Sequence, residues 1–236
     1  IPTLLAYEPA FGYEIAVIIA DGLRRMYQDG EDLFYFLGVH NENFAMPAMP
    51  VGCEIGILKG LYKFRPCATG KKHRAQIFGS GTIIREALRA QEILANRYDV
   101  SADVWSATNY KQLRTETLNC QRWNRLHPTE SPRQSYLETT LAGETGPFIA
   151  VSDNMKMVPD QIAPWVPGGL TTLGTDGYGR SDTRKALRRF FEVDAECTVI
   201  ATLHALAQRG QIDRQVVAQA IQDLGVDSEK SFPQIL

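Results

Sequence analysis

The densest set of residues able to do chemistry lies in Thr172–Asp194, TLGTDGYGRSDTRKALRRFFEVD. An apolar run, Gly169–Gly174, opens into a loop carrying Asp176, Gly177, Gly179, Arg180, Ser181 and Asp182. A loop leaving the C-terminal end of a strand is where ligands collect in open α/β sheets. Ser181 or Asp182 can cap the helix that follows. Arg184 and Arg188 share one face of that helix, and Lys185 and Arg189 the neighbouring one. Glycine backbone and arginine forks together could hold a carboxylate or a phosphate. The same residues support a second reading, in which Asp176 and Asp182 pair with Arg180 and Arg184 and fix the loop against a neighbouring subunit. Asp176, Gly177, Gly179, Arg180, Ser181, Asp182 and Arg184 therefore form one candidate set, an interface or an anion loop, with the interface the simpler reading.

Other constellations are thinner. Phe78–Thr82, FGSGT, places a G-x-G between a strand and a helix, where backbone N–H groups could meet a phosphate. Ile84 stands where the dinucleotide fingerprint needs its third glycine, so a tight turn explains the motif as well. His127, Glu130 and Arg133 in HPTESPR could contain a proton-transfer pair, or simply end one element and begin another. His40, His73 and His204 lack partners at metal-ligand spacing, so no metal site is expected. No G-x-S-x-G elbow exists and no cysteine carries a nucleophile signature. No catalytic or cofactor-binding residue is assigned.

The elements that must position these groups follow from periodicity. Phe11–Tyr27 reads as a helix with Ile15, Ile18, Ile19, Gly22, Leu23 and Met26 in one apolar stripe. LFYFLGV reads as a short buried strand, and the segment with its Met-Pro repeats as a crossing that cannot continue a strand. Leu61–Phe64 and Ala75–Phe78 are short apolar runs around a basic turn, Cys67–Arg74. A helix over Ile83–Arg97 follows, with Ile84, Ala87, Leu88, Gln91 and Leu94 on one face. Then come a strand at Val104–Thr108, partial helix over Tyr110–Leu126, and a helix start with Ser131 as cap, Pro132 first and Gln134 closing a capping box. Pro147–Ser152 and Leu170–Leu173 read as strands, with a proline-shortened helix, Met155–Val166, between them. Asp194 and Asp213 cap closing helices that end near Gly210 and Gly225. Alternating strands and helices predict an α/β fold, a mainly parallel open sheet flanked by helices, preceded by the tail of another α/β domain.

The chain has 236 residues, 44% of them hydrophobic, and a formal net charge of −2, which disfavours nucleic-acid binding. No apolar run approaches the ~20 residues that span a bilayer. Cys53, Cys67, Cys120 and Cys197 are expected as free thiols in a cytoplasmic protein. The start at Ile1, inside an element, suggests a piece of a longer polypeptide.

Five long, irregular segments carry a resemblance: YEPAFGYEIAVIIADGLRRMY, NENFAMPAMP, QIFGSGTIIREALRAQEILA, CQRWNRLHPTESPR and LGTDGYGRSDTRKALRRFFEVDA. They closely resemble the C-terminal part of the homodimeric, bacterial-type pyruvate dehydrogenases, decarboxylating first components of the 2-oxoacid complexes in the transketolase-like superfamily. The likeness runs over essentially the whole chain. It implies residues 1–45 as the end of a pyrimidine-binding middle domain, 46–70 as a crossing and 71–236 as a transketolase-like C-terminal domain. It implies thiamine diphosphate and Mg²⁺ in the full-length parent and none in this chain, because the G-D-G and Asn that grip them belong to an upstream domain. The Asp-Gly of TDGYG lies in the wrong domain and lacks that Asn. Implied partners are a second copy of the parent and the dihydrolipoyl acyltransferase component, which receives the acetyl group. A noncatalytic interaction or anion-regulatory module, or a relative acting on another 2-oxoacid, stay as alternatives.

Overall fold

A computed structural model describes residues 1–67 and 70–235. The basic turn read at Cys67–Arg74 includes Ala68 and Thr69, which lie outside the described residues. The chain opens with β1 (Leu4–Tyr7), α1 (Gly12–Leu23) and β2 (Phe34–Leu37). β1 and β2 pair in parallel as a two-stranded sheet. A single π-helical turn, Arg24–Gln28, closes α1. Within the expected apolar stripe, Ile18 and Gly22 are buried, but Ile19 and Leu23 are exposed. β2 was expected to be buried. It is instead a sheet edge whose Phe34 and Phe36 stay 46% and 56% exposed.

The Met-Pro segment runs without regular structure to α2 (Glu54–Lys59), a short helix the prolines upstream had hidden, ended by Gly60. A five-stranded sheet follows, built from β3 (Leu61–Arg65), β4 (His73–Gly79), β5 (Val100–Ala107), β6 (Phe148–Val151) and β7 (Leu170–Leu173). Its spatial order is β3-β5-β4-β6-β7, with β3 antiparallel and the rest parallel, so the sheet is mainly parallel as expected. All residues of β5 and β6 are buried, which is the near-continuous apolar pattern of strands covered on both faces.

Alternation along the strands divides the core into two layers. Ala75, Ile77, Ala102, Val104 and Val151 face α3 (Ile84–Arg97), α8 (Ala195–Gln208) and α9 (Arg214–Asp223). Phe78, Trp105, Ala107, Phe148 and Ala150 face α4 (Tyr110–Leu126) and α5 (Tyr136–Leu141). α4 is helical over its whole range rather than in part. The cap read at Ser131 falls four residues later. Ser135 caps α5, accepting from Glu138 N, and Glu138 returns to Ser135 N at 3.0 Å. The apolar Tyr136 and Leu137 decide between two successive S-x-x-E/Q signals, because the helix must start where its buried face starts. The Met155–Val166 helix shrinks to α6 (Met157–Asp160) and a 3₁₀ turn at Ala163–Trp165, as its prolines suggested. α7 (Arg184–Phe190) completes the chain order between β7 and α8. Among the described residues no helix is long and apolar enough to cross a membrane.

Candidate functional site

The strand order makes a topological switch. From β4 the chain passes through α3 to β5 on one side, then through α4 and α5 to β6 on the other side of β4. The loops leaving the C-terminal ends of β4 and β6 therefore diverge, and the crevice between them is the place where open α/β sheets bind ligands. Ser80 and Ser152, each directly beyond its strand, meet there with hydroxyl oxygens 3.0 Å apart.

A cavity of about 310 Å³ opens beside this point. Thr82 and Ile83 line it from the loop after β4, Asp153 from the loop after β6, and Thr175, Gly179 and Arg180 from the loop after β7. His40 reaches it from the segment after β2. Arg184, Leu187 and Arg188 of α7 form the remaining wall with Phe191 and Val193. The sequence-selected loop thus borders the cavity, and two of its cations line it.

The individual roles differ from expectation. Neither Ser181 nor Asp182 caps α7. Thr183 does, accepting from Ala186 N at 3.3 Å, while Asp182 accepts from Thr183 N at 2.6 Å. The Asp176–Arg180 and Asp182–Arg184 pairs do not form. Asp176 accepts from Lys156 N at 3.4 Å, Arg180 lies 4.5 Å over the Phe190 ring, and Arg184 donates to Asn41 O. Gly177 has φ +104°, and a Cβ there would lie 2.7 Å from Pro233 O, so the glycine is needed where the C-terminal tail crosses the loop.

The arginines of the α7 face form a clasp. Glu42 takes Arg85 Nη1 at 2.6 Å and Arg188 Nη2 at 2.8 Å. Arg188 Nη1 also reaches Glu86 at 3.2 Å, and Glu86 accepts Arg89 at 2.8 Å and Ala195 N at 3.1 Å. Arg189 holds Asp194 at 2.7 Å and Glu196 at 3.4 Å. Burial pushes the Glu42 carboxyl up, but the Arg188 hydrogen bond and the charges of Arg188 and Arg85 hold it below the ordinary carboxylate range. The positive charges of Arg188 and Arg189 are therefore engaged within the chain. Arg180 is different: among the described residues it has no carboxylate partner.

Sequence reading missed the pair at the cavity edge. His40 Nε2 lies 2.6 Å from Asp153 Oδ2, across 113 positions of sequence, and no local signal joins them. The hydrogen bond to Asp153, with the charges of Asp153, Glu8 and Glu42, raises the imidazole above its ordinary value against the effect of burial. A raised folded pKa gives stability that is fully present below the unfolded value and lost as pH rises through the folded one. The expected result is an unfolding midpoint that falls through the imidazole range. Replacing His40 by Gln should flatten that slope in thermal melts taken at stepped pH, whereas an equal slope in both proteins would remove His40 as its source.

The remaining candidates have local explanations. A Cβ on Gly79 would lie 2.7 Å from Ile84 Cα, so FGSGT is a turn in which strand and helix touch. His127 stacks on Trp123 and bonds Trp123 O at 2.8 Å, while Arg133 covers the Trp123 ring at 3.9 Å, so His127 and Glu130 make no proton-transfer pair. The four cysteines are free thiols. The Asp176–Gly177 step does not fit a metal-diphosphate grip: its carboxylate faces a backbone N–H, and among the described residues no three His, Cys, Asp or Glu side chains converge.

Comparison with known proteins places these features in a family. The model of the transketolase-like TK C-terminal domain matches residues 60–194, and that of the pyruvate dehydrogenase E1 component middle domain matches residues 1–47. The pyruvate dehydrogenase E1 component of Pseudomonas aeruginosa is 49% identical over 234 residues, 99% of this chain and 26% of its own length. That of Escherichia coli K12 is 45% identical over 237 residues, 100% of this chain and 26% of its own. The chain thus spans about a quarter of the length of these relatives. Among solved structures, transketolase from Campylobacter jejuni superposes with TM-score 0.59 at 15% identity, covering 86% of this chain and 26% of that one. A split-gene transketolase described as an inactive beta4 tetramer superposes with TM-score 0.52 at 16% identity, covering 88% and 58%.

Proposed function

The chain belongs to the family of transketolase-like C-terminal domains, and from that premise we propose that it is the C-terminal part of a thiamine diphosphate-dependent pyruvate dehydrogenase. The parent decarboxylates pyruvate and transfers the acetyl group to the lipoyl group of the dihydrolipoyl acyltransferase component. The observation that carries this reading is the near-half identity along essentially the whole chain to pyruvate dehydrogenase E1 components, which the 15% identity to transketolase does not rival.

In this proposal residues 1–45 end the middle domain, 46–70 cross, and 71–236 form the C-terminal domain, with β3 recruited from the crossing into the larger sheet. The exposed face of α1 and β2, with Ile19, Leu23, Phe34 and Phe36, supports the first boundary, since a complete middle domain would continue its sheet from that edge. The chain's own role is architectural: it supports a cytoplasmic homodimer, while thiamine diphosphate and Mg²⁺ bind to upstream domains. The residues present here do not fit that cofactor, and no catalytic step is assigned to them.

The test is thiamine diphosphate-dependent, pyruvate-driven dye reduction by the full-length parent, with the 236-residue chain run beside it. Reduction by the parent and none by the chain is expected. Reduction by the chain alone would overturn the placement of the cofactor. A parent active only on another 2-oxoacid would keep the family and change the substrate.

A further inference from the structure

We propose that the cavity at the β4/β6 switch point is a binding site for a small organic anion with an apolar body, such as a phosphorylated or carboxylated metabolite. The anionic group sits on Arg180, Arg184 and the Thr82 hydroxyl, and the apolar part lies against Ile83, Leu187 and Phe191.

Four observations converge. The first is position, since the cavity stands outside the C-terminal ends of the strands where the connection reverses. The second is unused donor capacity. Arg85, Arg89, Arg188 and Arg189 all hold carboxylates, whereas Arg180 holds none among the described residues. Arg184 gives one bond to Asn41 O and touches Glu42 only at 3.8 Å, so most of its five N–H donors stay available. The Thr82 hydroxyl lines the cavity and makes no hydrogen bond among the described residues. The third is charge. Among the described residues lining the cavity, three arginines, Arg180, Arg184 and Arg188, stand against one acid, Asp153, which meets His40 at 2.6 Å. The fourth is size: about 310 Å³, with apolar side chains on one wall, suits a ligand of modest dimensions.

The site does not depend on the pyruvate dehydrogenase reading. It uses only residues of this chain, so its failure and the failure of that reading are separable. It also differs from a subunit-contact role for the same loop, and the experiment distinguishes the two.

Phenyl phosphate is the probe, titrated into the full-length parent by saturation-transfer NMR, with inorganic phosphate and benzyl alcohol alongside. Saturable binding of phenyl phosphate is expected, weaker for either half alone. Arg180→Ala should weaken it about tenfold, the scale of one lost charge-assisted bond. Thr82→Val, which keeps the side-chain shape, should weaken it about threefold. Arg122→Ala, on the exposed face of α4, should change nothing. Equal binding by the Arg180, Thr82 and Arg122 variants would overturn the proposal, as would an absence of saturable binding. If Arg180→Ala instead raises the dimer dissociation constant in sedimentation velocity and leaves phenyl phosphate binding intact, the loop is a subunit contact and the anion site is refuted.

Discussion

Replacing Glu14 by Ala is expected to lower the unfolding free energy by about 4 kcal/mol, and replacing it by Gln by about 1 kcal/mol. Glu14 is fully buried at the start of α1, and each carboxylate oxygen has two donors. Oε2 accepts from Ala10 N at 2.5 Å and Phe11 N at 3.1 Å. Oε1 accepts from the Tyr62 hydroxyl at 2.7 Å and the Ser106 hydroxyl at 2.6 Å. The first pair satisfies N–H groups at the entrance to the helix, which have no intrahelical acceptor. The second pair lies on β3 and β5, so one side chain ties the first helix to two strands of the larger sheet. Alanine leaves three buried donors, Ala10 N, Phe11 N and the Ser106 hydroxyl, without an acceptor, and Tyr62 keeps only the Tyr13 hydroxyl at 2.7 Å, at roughly 1 kcal/mol for each of the four lost bonds. Glutamine separates the two pairs. Its oxygen can serve the backbone N–H groups, which only donate, and its amide can donate to the hydroxyls, which can also accept. Urea unfolding followed by circular dichroism measures the ranking. An alanine variant within about 1 kcal/mol of the unsubstituted protein would mean that the carboxylate does not link the two units.

That link shows what a sequence exposes and what it hides. Strands β6 and β7 and helix α3 were legible because their apolar patterns are strong and Pro or Gly residues precede them. The caps of α8 and α9 at Asp194 and Asp213 were legible for the same local reason. The cap of α5 was misplaced because Ser131 and Ser135 both begin a capping-box pattern, and only the buried Leu137 chooses between them. The burial of β2 was misread because an apolar run does not show whether its sheet continues beyond it. At the site, the loop was legible from its glycines and charges, but its bonding was not. The acids next to Arg180 and Arg184 in sequence bind backbone instead, while the acids that engage Arg188 of α7, Glu42 and Glu86, lie over a hundred positions upstream of it. Long-range pairs of that kind leave no local trace, and the His40–Asp153 contact is another.

The second large effect is expected at Arg188. Its side chain is 15% exposed and, among the described residues, is the only group bonded to both Glu42 and Glu86, so it joins the Met-Pro crossing to α3 and α7. Phe44, two residues after Glu42 in the crossing, lies 6.4 Å from the Phe11 ring and 4.9 Å beneath the Arg85 guanidinium. Arg188→Ala removes both bonds but leaves Arg85 on Glu42 and Arg89 on Glu86, so neither acid becomes wholly unpaired. The cost is therefore below the 3–5 kcal/mol of a fully orphaned buried charge, at about 2 kcal/mol. Lysine at this position can keep one bond but cannot span both carboxylates with a fork, and should recover about half of the loss. The local consequence is sharper than the global one. Prolines and the lack of regular structure leave residues 38–53 without regular strand or helix, so side-chain ties hold that segment: the Glu42 clasp, Phe44, the His40–Asp153 contact and the Arg184 bond to Asn41 O. Limited proteolysis should cut near the exposed Met46 and Met49 about tenfold faster in the alanine variant, with the five-stranded sheet surviving as a protected fragment. Equal cutting rates would show that Phe44 packing and the His40 and Asn41 contacts hold the crossing without Arg188, and that the Arg188 network serves the arrangement of α3, α7 and α8 instead.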